Sequence, residues 1–338
     1  MKRHGNLFDR ITDIENIKIA HKNARRGKTF YTEVKMVDSD IEKYCREIQK
    51  SLVNQTFTTS QYEIEDRFDR RKVRTIYKLP YYPDRIVQHA LLNVTGQIFT
   101  NSYIRDSFQS IVGRGTSDAM RRVKKVVRSP DCPRYALKID VEKYYPSVGN
   151  AKLKTMVRRK IKCERTLWLL DDIIDSMKGL PIGNYTSQHL GNLYLNAFDW
   201  KVKQQLKPKA YFRYCDDIVF MDDMKSKLLA YKVRALRWLD ELGLKIKGSW
   251  NIYDIYRHGV DFVGYVFTPL NTRLRRSIVT KFKATCSKLS KRITDPARDL
   301  SRVMAYKGWV KHCNGKQLWR KHTQSLRSVF PKQLRGAI

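Results

Sequence analysis

Acidic residues are scarce in this chain. Its 338 residues include 33 Asp and Glu against 68 Lys and Arg, a formal net charge of +35. The cations are not confined to a tail; they run from "KNARRGKTF" near the start to "LRGAI" at the end. Such a surface attracts polyanions, because each phosphate it neutralises releases condensed counterions. Charge by itself leaves open an enzyme that works on nucleic acid or a passive basic binder, such as a ribosomal protein.

Cysteine is sparse and dispersed. Cys45, Cys132, Cys163, Cys215, Cys286 and Cys313 form no C-x-x-C pair. That argues against zinc-binding spacings and a small disulfide framework, and makes reduced thiols in a cytoplasm the expectation. Long apolar runs are missing as well. The opening "MKRHGNLFDR" holds none, so neither a signal peptide nor a membrane span is expected. No internal repeat or low-complexity linker is found. The chain is nevertheless 42% hydrophobic and 11% aromatic, which places it among folding sequences and not disordered ones.

Periodicity supplies a coarse organisation. Residues 1–60 read as mostly helical and basic, with "DSDIEKYCREIQKSLVNQ" opening on Asp and Ser and continuing at helical spacing. "QYEIEDRFDRRKVRTIYKLP" alternates around a charged centre and predicts a two-stranded hairpin carrying arginines. "YPDRIVQHALLNVTGQIF" places Ile86, Val87, Ala90, Leu91 and Val94 on one helix face, and "DAMRRVKKVV" is a second, basic helix. "RYALKIDVEKYYPSV" predicts a strand ending in a helix-like turn, and "LWLLDDIIDSM" a short helix. "TSQHLGNLYLNAFDWKV" predicts one longer helix, and "AYFRYCDDIVFMDD" a hairpin with acids at its tip. An amphipathic helix ending at Gly243, a strand or strand pair in "GVDFVGYVFTP" and a basic helical tail complete a β-α-β-β-α-β alternation.

In so basic a chain, acids with apolar neighbours are the informative residues. Asp140 ends the strand "YALKID", where a buried carboxylate is costly unless paired or bound to metal. Asp216 and Asp217 are adjacent in "RYCDDIVF"; two neighbouring carboxylates repel unless a dication neutralises them. Hard oxygen donors of this kind suit Mg²⁺, and two such ions serve phosphoryl-transfer chemistry. The plainer alternative makes Asp140 a helix cap and Asp216–Asp217 a hairpin turn. Both motifs in one +35 chain favour the chemical reading.

Taken together, "ALKIDVEKYYPSV" and "YCDD" resemble the two metal-binding motifs of reverse transcriptases. "RTIYKLPYYPDRIVQ", "SFQSIVGRGTSDA", "LPIGNYTSQHLGNLYLN", "LDELGLKI", "VDFVGYVF" and "YKGWVKHC" follow in that family's order, spanning roughly residues 60–315. The resemblance implies an α+β right-hand polymerase. Its parts would be an N-terminal extension at 1–60, fingers at 61–135, a palm at 136–270 with a helical insertion about 146–180, and a helical thumb at 271–338. It implies RNA-directed DNA synthesis with two Mg²⁺ ions held by Asp140, Asp216 and the Val141 carbonyl, and with Asp217 in support. Tyr145 would exclude a ribose 2′-hydroxyl, although it equally suits core packing. Arg74 would lie along the incoming triphosphate, with Gly183 and Gln188 also at the nucleotide. Arg67, Arg70 and Arg71 would share that task or hold template backbone. Arg114, Tyr265, Lys307 and Trp309 would contact template and primer. Where many relatives carry a lysine that protonates pyrophosphate, register here places Trp250, and neither Lys245 nor Lys247 is assigned that role. No nuclease segment follows the thumb, so strand degradation is expected from elsewhere.

One residue narrows the resemblance. Most reverse transcriptases carry glutamine before the glycine of "LPIGNYTSQ" and proline after its serine; here those places hold Ile182 and Gln188. This form resembles the enzymes of diversity-generating retroelements of bacteria and phages. Those copy a template-repeat RNA into cDNA with errors at adenine, for mutagenic retrohoming into a target gene. They work in the cytoplasm with a small basic accessory protein that forms a pentameric barrel. Physically, isoleucine offers shape but no hydrogen-bonding group, and discrimination rests largely on placed polar groups. Ile182 also suits simple gap-filling. The rival readings are a retron, group II intron-like or phage-defence reverse transcriptase of ordinary fidelity, and a non-catalytic RNA-binding scaffold.

Overall fold

A computed structural model describes residues 3–69, 72–330 and 336. The chain divides into two compact units, each gathered from three stretches: 1–115, 139–207 and 230–250 in the first, and 116–138, 208–229 and 251–338 in the second.

The first unit is largely helical. Its centre is the helix Ile86–Thr100, buried along most of its length, with Ile86, Val87, Ala90, Leu91 and Phe99 fully out of water. A helix of that composition is stable only when covered, and each such side chain contributes about 1.5–3 kcal/mol by leaving water. The amino-terminal helices cover it. Asp13 caps Ile14–Ala24 by accepting from Glu15 N–H (2.8 Å), and Asp40 caps Ile41–Val53 by accepting from Lys43 N–H (3.0 Å). Asn16 ties the first of these to the central helix by donating to the Ala90 carbonyl (3.1 Å).

The arginine-bearing hairpin forms as expected. Strands β1 (Glu63–Asp69) and β2 (Lys72–Lys78) pair antiparallel with Arg67 opposite Arg74. A two-residue strand, β3 (Ser107–Phe108), follows the central helix. The helices Asn150–Arg158 and Glu164–Asp175 and the run after "LPIGN" complete the unit. That run departs from the single helix predicted. It divides into Tyr185–Tyr194 and Asn196–Lys201, interrupted at Leu195, whose N–H reaches the Gly191 carbonyl at a stretched 3.4 Å.

The second unit is built on a sheet. Strand β4 (Tyr135–Asp140) starts here and passes its last two residues to the first unit. Strands β5 (Ala210–Tyr214), β6 (Asp217–Asp222) and β7 (Asn251–Asp254) join it in the order β5-β6-β4-β7. Helices separate β4 from β5 and, as Lys225–Glu241, β6 from β7, so the chain runs β-α-β-β-α-β. In β6, Ile218, Val219, Phe220 and Met221 are all buried, the continuous apolar run of a strand covered on both faces. Strands β8 (Val260–Phe262), β9 (Tyr265–Phe267) and β10 (Thr272–Leu274) make a separate antiparallel sheet. Between β8 and β9, Gly264 has φ +88°, and a Cβ there would lie 2.4 Å from the Trp309 ring. The tail helices Arg276–Lys291, Pro296–Lys311 and Lys316–Thr323 pack around Phe282, which stacks on Trp319 at 5.6 Å and 7°. Among the described residues no helix is long and apolar enough to cross a membrane.

Candidate active site

Asp140 lies at the end of β4, in the first unit. The backbone continues into a bridge between Val141 and Ile246, closed by Glu142 N–H to the Lys245 carbonyl (2.7 Å) and Lys247 N–H to the Asp140 carbonyl (2.9 Å). Those two bonds flank Val141 and leave its own carbonyl out of the bridge. Lys247 returns a second time, its ammonium on the Asp140 carboxylate. Both side chains are a little more than a third exposed, at 37% and 39%, so screening keeps this pair weak. Lys247 is thus the lysine that reaches the acid, and sequence register did not select it. Trp250 stands elsewhere in the same unit, with the Lys232 ammonium 3.3 Å from its ring centroid.

The other two acids belong to the second unit. Cys215 and Asp216 form the loop of the β5–β6 hairpin, and Asp217 opens β6 opposite Tyr214. Cys215 has φ +56°, the left-handed region that a side chain adopts only at a cost. Its carbonyl accepts from Arg213 (3.0 Å), whose guanidinium is wholly buried beneath the turn. Asp217 Oδ2 accepts from Lys138 Nζ (3.0 Å), which also donates to the Asp261 carbonyl (2.9 Å). Arg213 and Lys138 escaped sequence reasoning. Their signal was a cation at an inward place in an otherwise apolar strand, "YFRY" and "YALKID".

No three His, Cys, Asp or Glu among the described residues cluster as a metal site. The donor chemistry still fits a hard dication. Asp140 and Asp216 are carboxylates, the Val141 carbonyl is left out of its bridge, and Asp140 already accepts a cation through Lys247. Nucleic-acid phosphates supply the remaining oxygens such ions require.

The "LPIGNYTSQ" turn is a docked element and no free loop. Ile182 is half-buried and its carbonyl accepts from Tyr77 N–H on β2 (2.8 Å). Gly183 has φ +142°, and a Cβ there would stand 2.1 Å from the Tyr77 carbonyl oxygen. Ser187 closes the turn onto the Pro181 carbonyl (2.7 Å), and Gln188 accepts from Ser110. The helix that follows has no cap of its own. Gln88, buried in the central helix, accepts from Tyr185 N–H at 2.9 Å and serves instead. A glutamine among the apolar residues Ile86, Val87, Ala90 and Leu91 was the available signal for it. Tyr145, half-buried beside Tyr144, accepts from Leu180 N–H (2.9 Å), which ties the stretch after Asp140 to this turn. Arg74 is exposed on β2, the strand that receives Ile182 and Gly183.

The residues expected at template and primer vary in what they present. Arg70 and Arg71 lie outside the described residues. Arg114 donates to the Ile104 carbonyl (3.1 Å) and is half-buried; Lys307 is exposed. Tyr265 is 2% exposed, and its hydroxyl donates to the Trp309 carbonyl (3.0 Å) with the rings 5.4 Å apart. Trp309 is itself half-buried.

Comparison with known proteins bears on the family and the fold. The family model described as "Reverse transcriptase (RNA-dependent DNA polymerase)" matches residues 64–267, more than half of the chain. Among solved structures, the chain resembles apo telomerase from Candida tropicalis at 11% identity and a TM-score of 0.50, covering 83% of this chain and 64% of that one. It also resembles telomerase from Candida albicans in complex with a fragment of telomeric RNA, at 10% identity and a TM-score of 0.50, covering 71% and 54%. At such identities the likeness is one of fold, and the chain spans between half and two thirds of those telomerases. No curated protein matches in sequence.

Proposed function

Because the chain belongs to the reverse transcriptase (RNA-dependent DNA polymerase) family, we propose that it extends a primer with deoxynucleotides along an RNA template. Family members use divalent metal ions, and Mg²⁺ suits the oxygen donors here. Asp140, Asp216 and the Val141 carbonyl are the proposed ligands. When bound, two such ions supply an activated 3′-hydroxyl and charge compensation for the leaving pyrophosphate. The chain's own residues do the placing. Arg213 holds the strained turn that presents Asp216, and Lys138 keeps Asp217 beside it. Arg74 receives the triphosphate, and Tyr145 bars a 2′-hydroxyl. In a right-hand scheme the β1–β2 hairpin serves as fingers, the sheet holding β4 to β7 as palm, and the tail helices as thumb. The observation that carries the proposal is a carboxylate at each of two apolar strand ends in a +35 chain of this family. Asp216→Asn is expected to lower Mg²⁺-dependent primer extension on a defined RNA at least a hundredfold, with template binding retained. Extension at the wild-type rate would end the assignment.

The finer reading is a retroelement enzyme of low fidelity at adenine, acting in mutagenic retrohoming with a small basic pentameric partner. It is supported by Ile182 and Gln188, and by the docking of their turn on the strand that carries Arg74. Ile182→Gln restores a hydrogen-bonding group there. Sequenced cDNA from the variant is expected to show severalfold fewer errors opposite adenine; an unchanged adenine error rate removes this reading and leaves the polymerase standing.

A further inference from the structure

Among the described residues, the carboxylate of Asp140 and the ammonium of Lys247 are each other's only side-chain partner. The backbone enforces their meeting. Val141 bridges Ile246 in the antiparallel sense, which sets Asp140 opposite Lys247 with both side chains on one face. The bonds from Glu142 N–H to the Lys245 carbonyl and from Lys247 N–H to the Asp140 carbonyl fix that register from either side of the bridge. A cation opposite this acid is therefore built into the strand pairing.

The chain beyond Lys247 is held more loosely. From the Val141–Ile246 bridge to the Lys138–Asn251 pair, β4 passes through two residues, Ile139 and Asp140. The returning chain passes through four, Lys247, Gly248, Ser249 and Trp250, and so bulges opposite the acid. Nothing lies within 4 Å of the place a Cβ would take on Gly248. Both members of the ion pair are open to water, and a pair so exposed exchanges readily with other ions.

We infer that Lys247 is a resident counter-ion of Asp140, which a divalent cation must displace in order to bind. An ammonium and a dication at one carboxylate oxygen repel, so the two are alternatives there. Lys247 is thus a positioning residue: it keeps the acid compensated and in register in the metal-free chain, and by competing it sets the concentration at which the site fills. The role moves no proton, which separates it from protonation of pyrophosphate. It rests on the proposed metal role of Asp140 and deepens it.

The test titrates Mn²⁺, a paramagnetic stand-in for Mg²⁺, into the full chain without nucleic acid and reads the free ion by electron paramagnetic resonance. Asp140→Asn defines the site and is expected to abolish its binding. Lys247→Met removes the competitor and is expected to tighten that binding about threefold to fivefold. Lys245→Met removes the same charge two residues away and should leave it within about 1.5-fold. Lys247→Arg keeps the charge in a fork suited to a carboxylate and should bind Mn²⁺ no more tightly than wild type. Both lysines are accessible to solvent, so all three lysine variants are expected to melt with the wild type. Equal tightening by Lys247→Met and Lys245→Met would reduce the effect to general charge and overturn the inference. Loss in Asp140→Asn with no change in Lys247→Met would also overturn it, while leaving the metal reading in place. Wild-type Mn²⁺ binding by Asp140→Asn would remove the metal reading itself.

Discussion

At residue scale, the turn with the apolar tip shows what a single atom decides. "LPIGNYTSQ" looked like a polar turn with Ile182 out of place, because its binding partner, β2, is distant in sequence. Once Ile182 accepts from Tyr77 N–H and Gly183 leaves room for the Tyr77 carbonyl, the turn is a fixed contact between elements. Gly183→Ala meets both a φ of +142° and a Cβ 2.1 Å from that oxygen. It is expected to lose on the order of 1–3 kcal/mol, seen as a lower urea midpoint. Gly308→Ala, in a helix with nothing within 4 Å, is the control and should be neutral or mildly stabilising. A Gly183→Ala protein as stable as wild type would mean that the turn is not docked on β2. The three acids were legible from apolar flanks and adjacency. Lys247, Lys138, Arg213 and Gln88 were not, since each acquires its meaning from a partner far along the chain or, for Arg213, from burial under a turn.

At the scale of elements, the central helix and the helix after the turn share a pH-dependent contact. His89, on Ile86–Thr100, stacks on Tyr185 at 3.7 Å and 8°. Burial, with repulsion from Arg85 and Lys28, lowers His89 to about 4, and burial lowers His189 to about 4. An unfolded histidine titrates near about 6.5. Between that value and about 4 the unfolded chain therefore binds protons that the folded chain refuses, and stability falls as pH drops through the window. From pH 7 to 5 each imidazole should cost about 2 kcal/mol, and the two together on the order of 4 kcal/mol. His89→Phe keeps the stacked ring and should flatten the decline of the urea midpoint over this range; an unaltered decline would refute the assignment. Long periodic elements were readable: the β1–β2 hairpin, the helix Ile86–Thr100 and the β5–β6 hairpin all formed. The strands β3, β7 and β10, of two to four residues, were not, because so short a segment has no periodicity to display and exists through pairing.

At the scale of the molecule, chain order is not what groups the residues. Each compact unit takes three separated stretches, and β4 and the helix Lys225–Glu241 each contribute to both. The charge of +35 needs no structure to be read, and neither do the acids whose apolar flanks mark them. Sequence by itself thus determined the excess of positive charge, the acids that stand out against it and the family, because composition and local pattern are properties of neighbours along the chain. Only the tertiary structure decided which cation attends which acid, that Tyr265 is buried while Lys307 is exposed, and that Lys28 and Arg85 line one cavity with no carboxylate paired to either among the described residues. Those facts depend on contacts between residues up to a hundred or more positions apart, for which a linear pattern carries no signal. Ile182 belongs to both: its type is written in the sequence, and its place against β2 is made by the fold.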